Sequence, residues 1–221
     1  MTRKIGLIHT VAPAVPLFNE LSAEMLPDVE VINLLDEGLI KDLFARGQYT
    51  EGMAKRLGML ASFAVESGAE VVMLTCSSMA PLVDKARKMV KVPFLKVDEA
   101  MADEAVELGT RIGVIATAHT TLKPTSELIK SRAALKKKAV SVEALLCSGA
   151  FEAINRGDLT THDEIVKPRL IELMDRVDVV VLAQASISRV IAQLSDSERK
   201  VPILSSPRLG MQRLKDTLYS S

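Results

Sequence analysis

The sequence predicts an α/β protein made of two pseudo-symmetric parallel-sheet halves, with the active site in the cleft between them. Three observations predict it. Short Val- and Ile-rich runs alternate with longer segments of helical period, and two of those runs, VVML and VVVL, are apolar without interruption. The landmarks of the first hundred residues also return, in order, in the second hundred.

The strand candidates are KIGLI (4–8), VEVINL (29–34), AEVVMLT (69–75), VPFLKV (92–97), RIGVIAT (111–117), AVSVEALL (139–146), VDVVVLA (177–183) and VPILS (201–205). Unbroken apolarity in the third and seventh implies cover on both faces, as in a parallel sheet flanked by helices. Residues 49–68, 98–109 and 160–176 read as amphipathic helices, the first two stopped by Gly68 and Gly109. A further helix is expected over 79–90, and another, containing Pro124, after RIGVIAT.

KIGLIHT (4–10) answers to RIGVIAT (111–117), AEVVMLTCSSMAPLV (69–83) to VDVVVLAQASISRVI (177–191), and VPFL (92–95) to VPIL (201–204), at offsets of 107 to 109. The expected division is therefore 1–97 with 206–221 as one half and 98–205 as the other. Open parallel sheets bind ligands beyond the carboxyl ends of their strands, so two such halves facing each other would share one cleft.

Composition narrows the function. Lysine plus arginine equals aspartate plus glutamate at 28 each, which leaves no basic field to attract a nucleic acid. The apolar run near the N-terminus is interrupted by Pro13 and Pro16, too early for a signal-peptide core or a membrane span, so a cytoplasmic chain without a membrane partner is expected. Two cysteines, Cys76 and Cys147, are too few for a disulfide scaffold. The histidines and cysteines lack paired ligand spacing, and neither glycine-bearing strand carries G-x-G-x-x-G, so neither metal nor dinucleotide cofactor is expected.

Thr75, Cys76, Ser77 and Ser78 follow a buried strand and precede a helix. A thiol there lies near backbone N–H groups that favour the thiolate, able to accept a proton or attack carbon, although a free cysteine also serves as a small core hydrophobe. Ser77 and Ser78 would bind a carboxylate or cap the helix. The equivalent turn is Ala183-Gln184-Ala185-Ser186, which places Gln184 opposite Cys76; an amide can orient a ligand but cannot take up a proton near neutral pH. Thr117, Thr120 and Thr121 surround a helix start as an anion cradle or an ordinary cap, and His9 and His119 would border the cleft as proton carriers or loop residues. Thr161 and Glu164 have capping-box spacing around His162, and Cys147 reads as structural.

At these residues the chain resembles the aspartate/glutamate/hydantoin racemase superfamily over nearly its whole length, through IGLIHT, VVMLTCSS, IGVIATAHTTLKPT and VVVLAQASIS. The resemblance implies two similar α/β domains, no cofactor, and a pair of cysteines acting as acid and base on opposite faces of a carbon beside a carboxylate. Cys76 matches the first cysteine. Thr75, Ser77, Ser78, the threonine loop (Thr117, Thr120, Thr121), His9 and Ser186 fall at substrate-binding positions. The chain departs from the family at Gln184, where the second cysteine would stand. The expectation is a cofactor-independent, isomerase- or racemase-like enzyme acting at the α-carbon of a small carboxylate through Cys76. The alternatives are an arylmalonate-type decarboxylase, whose single cysteine lies in the second half, or a carboxylate-binding protein without turnover. A homo-oligomer is left open.

Overall fold

In a computed structural model, which describes residues 2–220, the chain divides into two compact units, 1–97 with 207–221 and 98–206. The first contains β1 (Lys4–His9), α1 (Ala14–Met25), β2 (Glu30–Leu35), α2 (Glu37–Arg46), α3 (Glu51–Glu66), β3 (Val71–Leu74), α4 (Val83–Ala86) and β4 (Phe94–Lys96). The second contains α5 (Glu99–Leu108), β5 (Arg111–Ala116), α6 (His119–Leu135), β6 (Ser141–Leu146), α7 (Ala150–Asn155), α8 (Leu159–Met174), β7 (Val179–Leu182), α9 (Ser188–Ile191) and β8 (Ile203–Ser205). From Pro207 onward α10 (Ser206–Tyr219) returns to the first unit.

Both sheets are parallel and share one order, β2-β1-β3-β4 in the first unit and β6-β5-β7-β8 in the second. Alternation along the strands sorts the first core into two layers. Ile5, Leu7, Val71 and Met73 pack with Phe18 of α1 and Met211, Leu214 and Leu218 of α10. Ile8, Val72 and Leu74 pack with Leu39 and Leu43 of α2 and Leu57 and Ala61 of α3. That two-sided cover is why β3 is apolar at every position. Gly6 lets α3 lie close against β1, since a Cβ built there would stand 2.6 Å from the Ala64 Cβ.

In the second unit Ile115, Val180 and Leu182 pack with Val166, Leu170 and Leu173 of α8 and with Ile187 and Val190 beyond β7. α5 and α6 pack against each other and against strands of this sheet. α5 follows β4 yet belongs to the second unit, and α10 follows β8 yet belongs to the first. Each sheet is thus covered by the helix that follows the other sheet's last strand.

All eight expected strands form. Two helical expectations need correction, and a third holds with its ends trimmed. The segment after Cys76 is a 3₁₀ helix (Ser77–Leu82), then α4, then a second 3₁₀ turn (Arg87–Met89), because Pro81 supplies no N–H and the chain tightens around it. Thr161 does not cap α8; Asp158 does, its side chain accepting from Thr161 N at 3.1 Å. α3 starts inside the expected 49–68, after Thr50, whose hydroxyl accepts from Met53 N at 3.2 Å, and it ends before Gly68, which adopts φ +97°.

Candidate active site

Register brings the ends of β1 and β3 together: Ile8 pairs with Leu74, and Thr75 N donates to Ile8 O at 3.0 Å. Beyond that point Thr75 Oγ1 lies 2.9 Å from His9 Nδ1 and 3.1 Å from Ile8 O. His9 is fully buried, its ring 5.9 Å from that of Phe18, with Nε2 2.9 Å from Asn33 Oδ1. Asn33 Nδ2 in turn donates to Asn19 Oδ1 at 2.8 Å, which fixes Asn33 with its oxygen toward His9.

Burial pushes the His9 pKa below its ordinary value, and the Asn33 hydrogen bond opposes this only in part. The neutral ring then carries its proton on Nε2 for Asn33 and leaves Nδ1 to accept from the Thr75 hydroxyl. That hydroxyl has one hydrogen, so its approach to Ile8 O is the alternative it would adopt if His9 gained a proton. His9 therefore fixes Thr75, the residue before the thiol.

Cys76 is partly exposed and extended (φ −121°, ψ 111°), at the head of the 3₁₀ helix, with Met79 N donating to its carbonyl at 3.2 Å. So short a 3₁₀ segment carries less aligned dipole than the α-helix expected there. Ser77 and Ser78 are buried, and Tyr49 Oη donates to Ser78 O at 2.8 Å. The Ser77 hydroxyl has no hydrogen-bond partner among the described residues, nor has that of Thr10, which is fully buried at the end of β1. Cys147 is sealed into the core beneath α8, and burial pushes its thiol up to about 11. Neither cysteine forms a disulfide.

The second unit repeats the turn with other chemistry. Ala183 N donates to Ile115 O at 3.0 Å, and Gln184 is extended (φ −140°, ψ 138°) before a 3₁₀ turn (Ala185–Ile187), with Ile187 N donating to its carbonyl at 3.2 Å. Gln184 and Cys76 are thus equivalent in backbone conformation and hydrogen bonding. The Gln184 side-chain oxygen accepts from Thr117 N (2.7 Å), Thr117 Oγ1 (3.0 Å) and Ala118 N (3.3 Å), while Thr121 Oγ1 lies 3.1 Å from it and 2.9 Å from Ala118 O, with one hydrogen for the two. The structure therefore brings Thr117, Thr121 and Gln184 into one cluster, with the threonine donors turned on the chain's own amide. Thr120 and Ser186 are partly exposed, and His119 is exposed at the first position of α6.

His162, fully buried, places Nδ1 2.8 Å from Asp163 Oδ1, and Asp163 also accepts from Gln193 Nε2 at 2.5 Å and pairs with Arg189 at 3.2 Å. That cluster ties α9 to α8. A surface groove beside it is lined by Thr160, Asp163, Glu164, Lys167, Pro168, Ile171 and Gln193, and by none of the residues expected to bind substrate. Among the described residues no set of three His, Cys, Asp or Glu could hold a metal ion, and no helix is long and apolar enough to cross a membrane. Thr10, which with His9 ends the first strand and is expected to border the site, stands 107 positions before Thr117 in the repeat.

The family model described as Asp/Glu/Hydantoin racemase matches residues 12–214. In fold the chain is similar to the aspartate racemase of Picrophilus torridus, at TM-score 0.73 and 13% identity over 97% of this chain and 94% of that one. It is similar to the glutamate racemase of Francisella tularensis, solved with D-glutamate, at TM-score 0.73 and 18% identity over 99% and 81%. An arylmalonate decarboxylase gives TM-score 0.62 and 19% identity over 97% and 92%. No curated protein sequence matches the chain.

Proposed function

Because the chain belongs to the Asp/Glu/hydantoin racemase family, we propose that it is a cofactor-independent enzyme acting at the α-carbon of a small carboxylate, with Cys76 as its thiol base or nucleophile. One observation carries the assignment. Of two thiols, only Cys76 combines access to solvent with a strand-end turn and buried hydroxyls left without protein partners, those of Thr10 and Ser77 nearby in sequence and register. Removing an α-proton builds enolate-like charge on the carboxylate, and hydrogen-bond donors held out of water stabilise that charge. Gln184 supplies no second acid, so the reaction proceeds by proton exchange on one face or ends in a single stereospecific protonation.

Amino acids, hydantoins and substituted malonates, incubated with the protein in heavy water, give the test. Deuterium should enter the α-carbon of at least one class with native protein and not with Cys76→Ala. Equal uptake by both proteins would remove Cys76 from the mechanism. The second reading, decarboxylation of an arylmalonate, is favoured by the single thiol at the two equivalent turns and by the likeness in fold to arylmalonate decarboxylase. Release of carbon dioxide from phenylmalonate, with one enantiomer formed from its α-methyl derivative, would select it. Protection of Cys76 by a carboxylate without exchange or decarboxylation would identify a binding protein instead.

A further inference from the structure

The two buried histidines differ in what a second ring proton would meet. His162 places Nδ1 2.8 Å from Asp163 Oδ1, and its Nε2 is buried with no partner among the described residues, so a proton added there has no acceptor. His9 has an acceptor at each nitrogen. Nε2 lies 2.9 Å from Asn33 Oδ1 and Nδ1 2.9 Å from Thr75 Oγ1, while Thr75 Oγ1 also lies 3.1 Å from Ile8 O. In the neutral ring the Thr75 hydroxyl donates to Nδ1. In the imidazolium Nδ1–H donates to Thr75 Oγ1, and the hydroxyl turns its hydrogen to Ile8 O. Both ring nitrogens stay bonded in either state. The partners are neutral: β2 offers Asn33, β3 offers Thr75, and α1 offers Phe18 and, through Asn33, Asn19. Of the carboxylates nearby, Glu20 and Glu24 of α1 are exposed, with Glu24 paired to Arg208. Asp36, whose N–H donates to His9 O, is held by Gly38 N and Arg56. Cys76 is the titratable group next to Thr75.

We propose that His9 is a titratable positioning residue: it takes up a proton in place, reverses the hydrogen bond at Thr75, and so gives the Cys76 turn a second, cationic state. Burial among neutral partners puts that state at acid pH, below the ordinary histidine range. The imidazolium charge then stands on the order of 10 Å from the thiol, one residue beyond Thr75, in a medium that screens it poorly. It favours the thiolate, so acid silences Cys76 less steeply than it silences an ordinary thiol. The inference goes beyond the carboxylate reading and holds for whatever ligand the thiol meets.

The test follows the His9 ring in ¹⁵N-labelled protein, its signals assigned by their loss in His9→Gln, whose amide can donate to Asn33 and accept from Thr75 but does not titrate. Above the midpoint Nε2 should carry the only ring proton. Below it both nitrogens should be protonated, with the backbone amide spectrum still that of the folded chain. Proton uptake that coincides with unfolding overturns the inference, and so does a neutral ring protonated at Nδ1. The second measurement is the rate at which 2,2′-dipyridyl disulfide modifies Cys76 between pH 4 and 8, with the site located by peptide mapping. In His9→Gln the rate should fall tenfold per pH unit, whereas native protein should bend at the His9 midpoint and run about tenfold above that line at lower pH. A purely structural histidine gives native protein the straight line, which also overturns the inference. If His9→Gln fails to fold, the bend or its absence in native protein decides. Neither result bears on deuterium uptake, which tests the carboxylate reading separately.

Discussion

Alkylation of the two cysteines separates the proposed site from the core. Burial raises the Cys147 pKa from 9.0 to about 11. At pH 7.5 such a thiol is about 0.03% ionised, against about 10% for an ordinary thiol near 8.5, a difference of about 300-fold before steric access is counted. Only 1% of Cys147 is exposed, which lowers its rate further, whereas Cys76 is open to reagent. Iodoacetamide at pH 7.5, followed by peptide mapping, should therefore modify Cys76 to completion while Cys147 stays unmodified. The same shift makes a stability prediction. Above pH 9 the unfolded chain ionises this thiol while the folded chain does not, so about 3 kcal/mol of stability is lost as pH rises from about 9 through about 11. Cys147→Ala should show a shallower alkaline decline in urea denaturation than the native protein. Modification of Cys147 first, or parallel alkaline declines in the two proteins, would refute the reasoning.

Gly6→Ala should lower the melting temperature by about 3–10 °C, because the new Cβ meets a Cβ fixed on α3 and the overpacking costs about 1–3 kcal/mol. Gly113→Ala should also destabilise, since its Cβ would stand 2.9 Å from both Cγ and Cδ2 of Leu173, which is fully buried in the second core. Asp178 accepts from the Thr110 and Arg111 backbone and pairs with the Arg111 guanidinium, which holds its carboxyl down to about 2. Its folded pKa is depressed, so its contribution is present above about pH 4 and lost as pH falls toward 2; Asp178→Asn should flatten that part of an acid titration followed by circular dichroism. Asp163→Ala strips partners from buried His162 and from Gln193 and Arg189, and should destabilise by about 2 kcal/mol in urea titration.

The strands were legible because parallel strands covered on both faces leave little choice but Val, Ile, Leu and Met, as β3 and β7 show. Helices beside prolines were harder to read. α1 has Pro13 at its N-cap position and Pro16 in its first turn, where proline is tolerated although in sequence it looks like a loop. α7, six residues long after Gly149 at φ +87°, is too short to show a period. Of the site, Cys76 and Gln184 could be paired because the repeat offset is nearly constant. The convergence of Thr117, Ala118 and Thr121 on Gln184 could not be read, since it depends on two loops more than 60 residues apart meeting through side-chain atoms. His9, closing the first strand, reads in sequence as a proton carrier or an ordinary histidine; packing places it, fully buried, as the fixed neighbour of Thr75.

The equivalence of the two turns permits one more experiment. Cys76 and Gln184 share extended backbone dihedrals and the same hydrogen bond from the residue three positions on, so exchanging one side chain for the other should leave the turn intact. A cysteine ends at the γ position and cannot reach the donors that hold the Gln184 oxygen. Gln184→Cys would thus do two things together: put a thiol at the second turn and free the Thr117 N–H, the Thr117 hydroxyl and the Ala118 N–H. Two-base racemisation requires one group to remove the α-proton and another to return one on the opposite face, and an amide can do neither. The native protein should therefore exchange deuterium with retained configuration and racemise poorly, while Gln184→Cys should racemise faster on the same substrate, and Cys76→Ala should abolish exchange in both backgrounds. Chiral chromatography of products formed in heavy water reads all three. Rapid two-way racemisation by the native protein, surviving in Cys76→Ala, would reject the single-thiol mechanism and direct attention to His9 and His119.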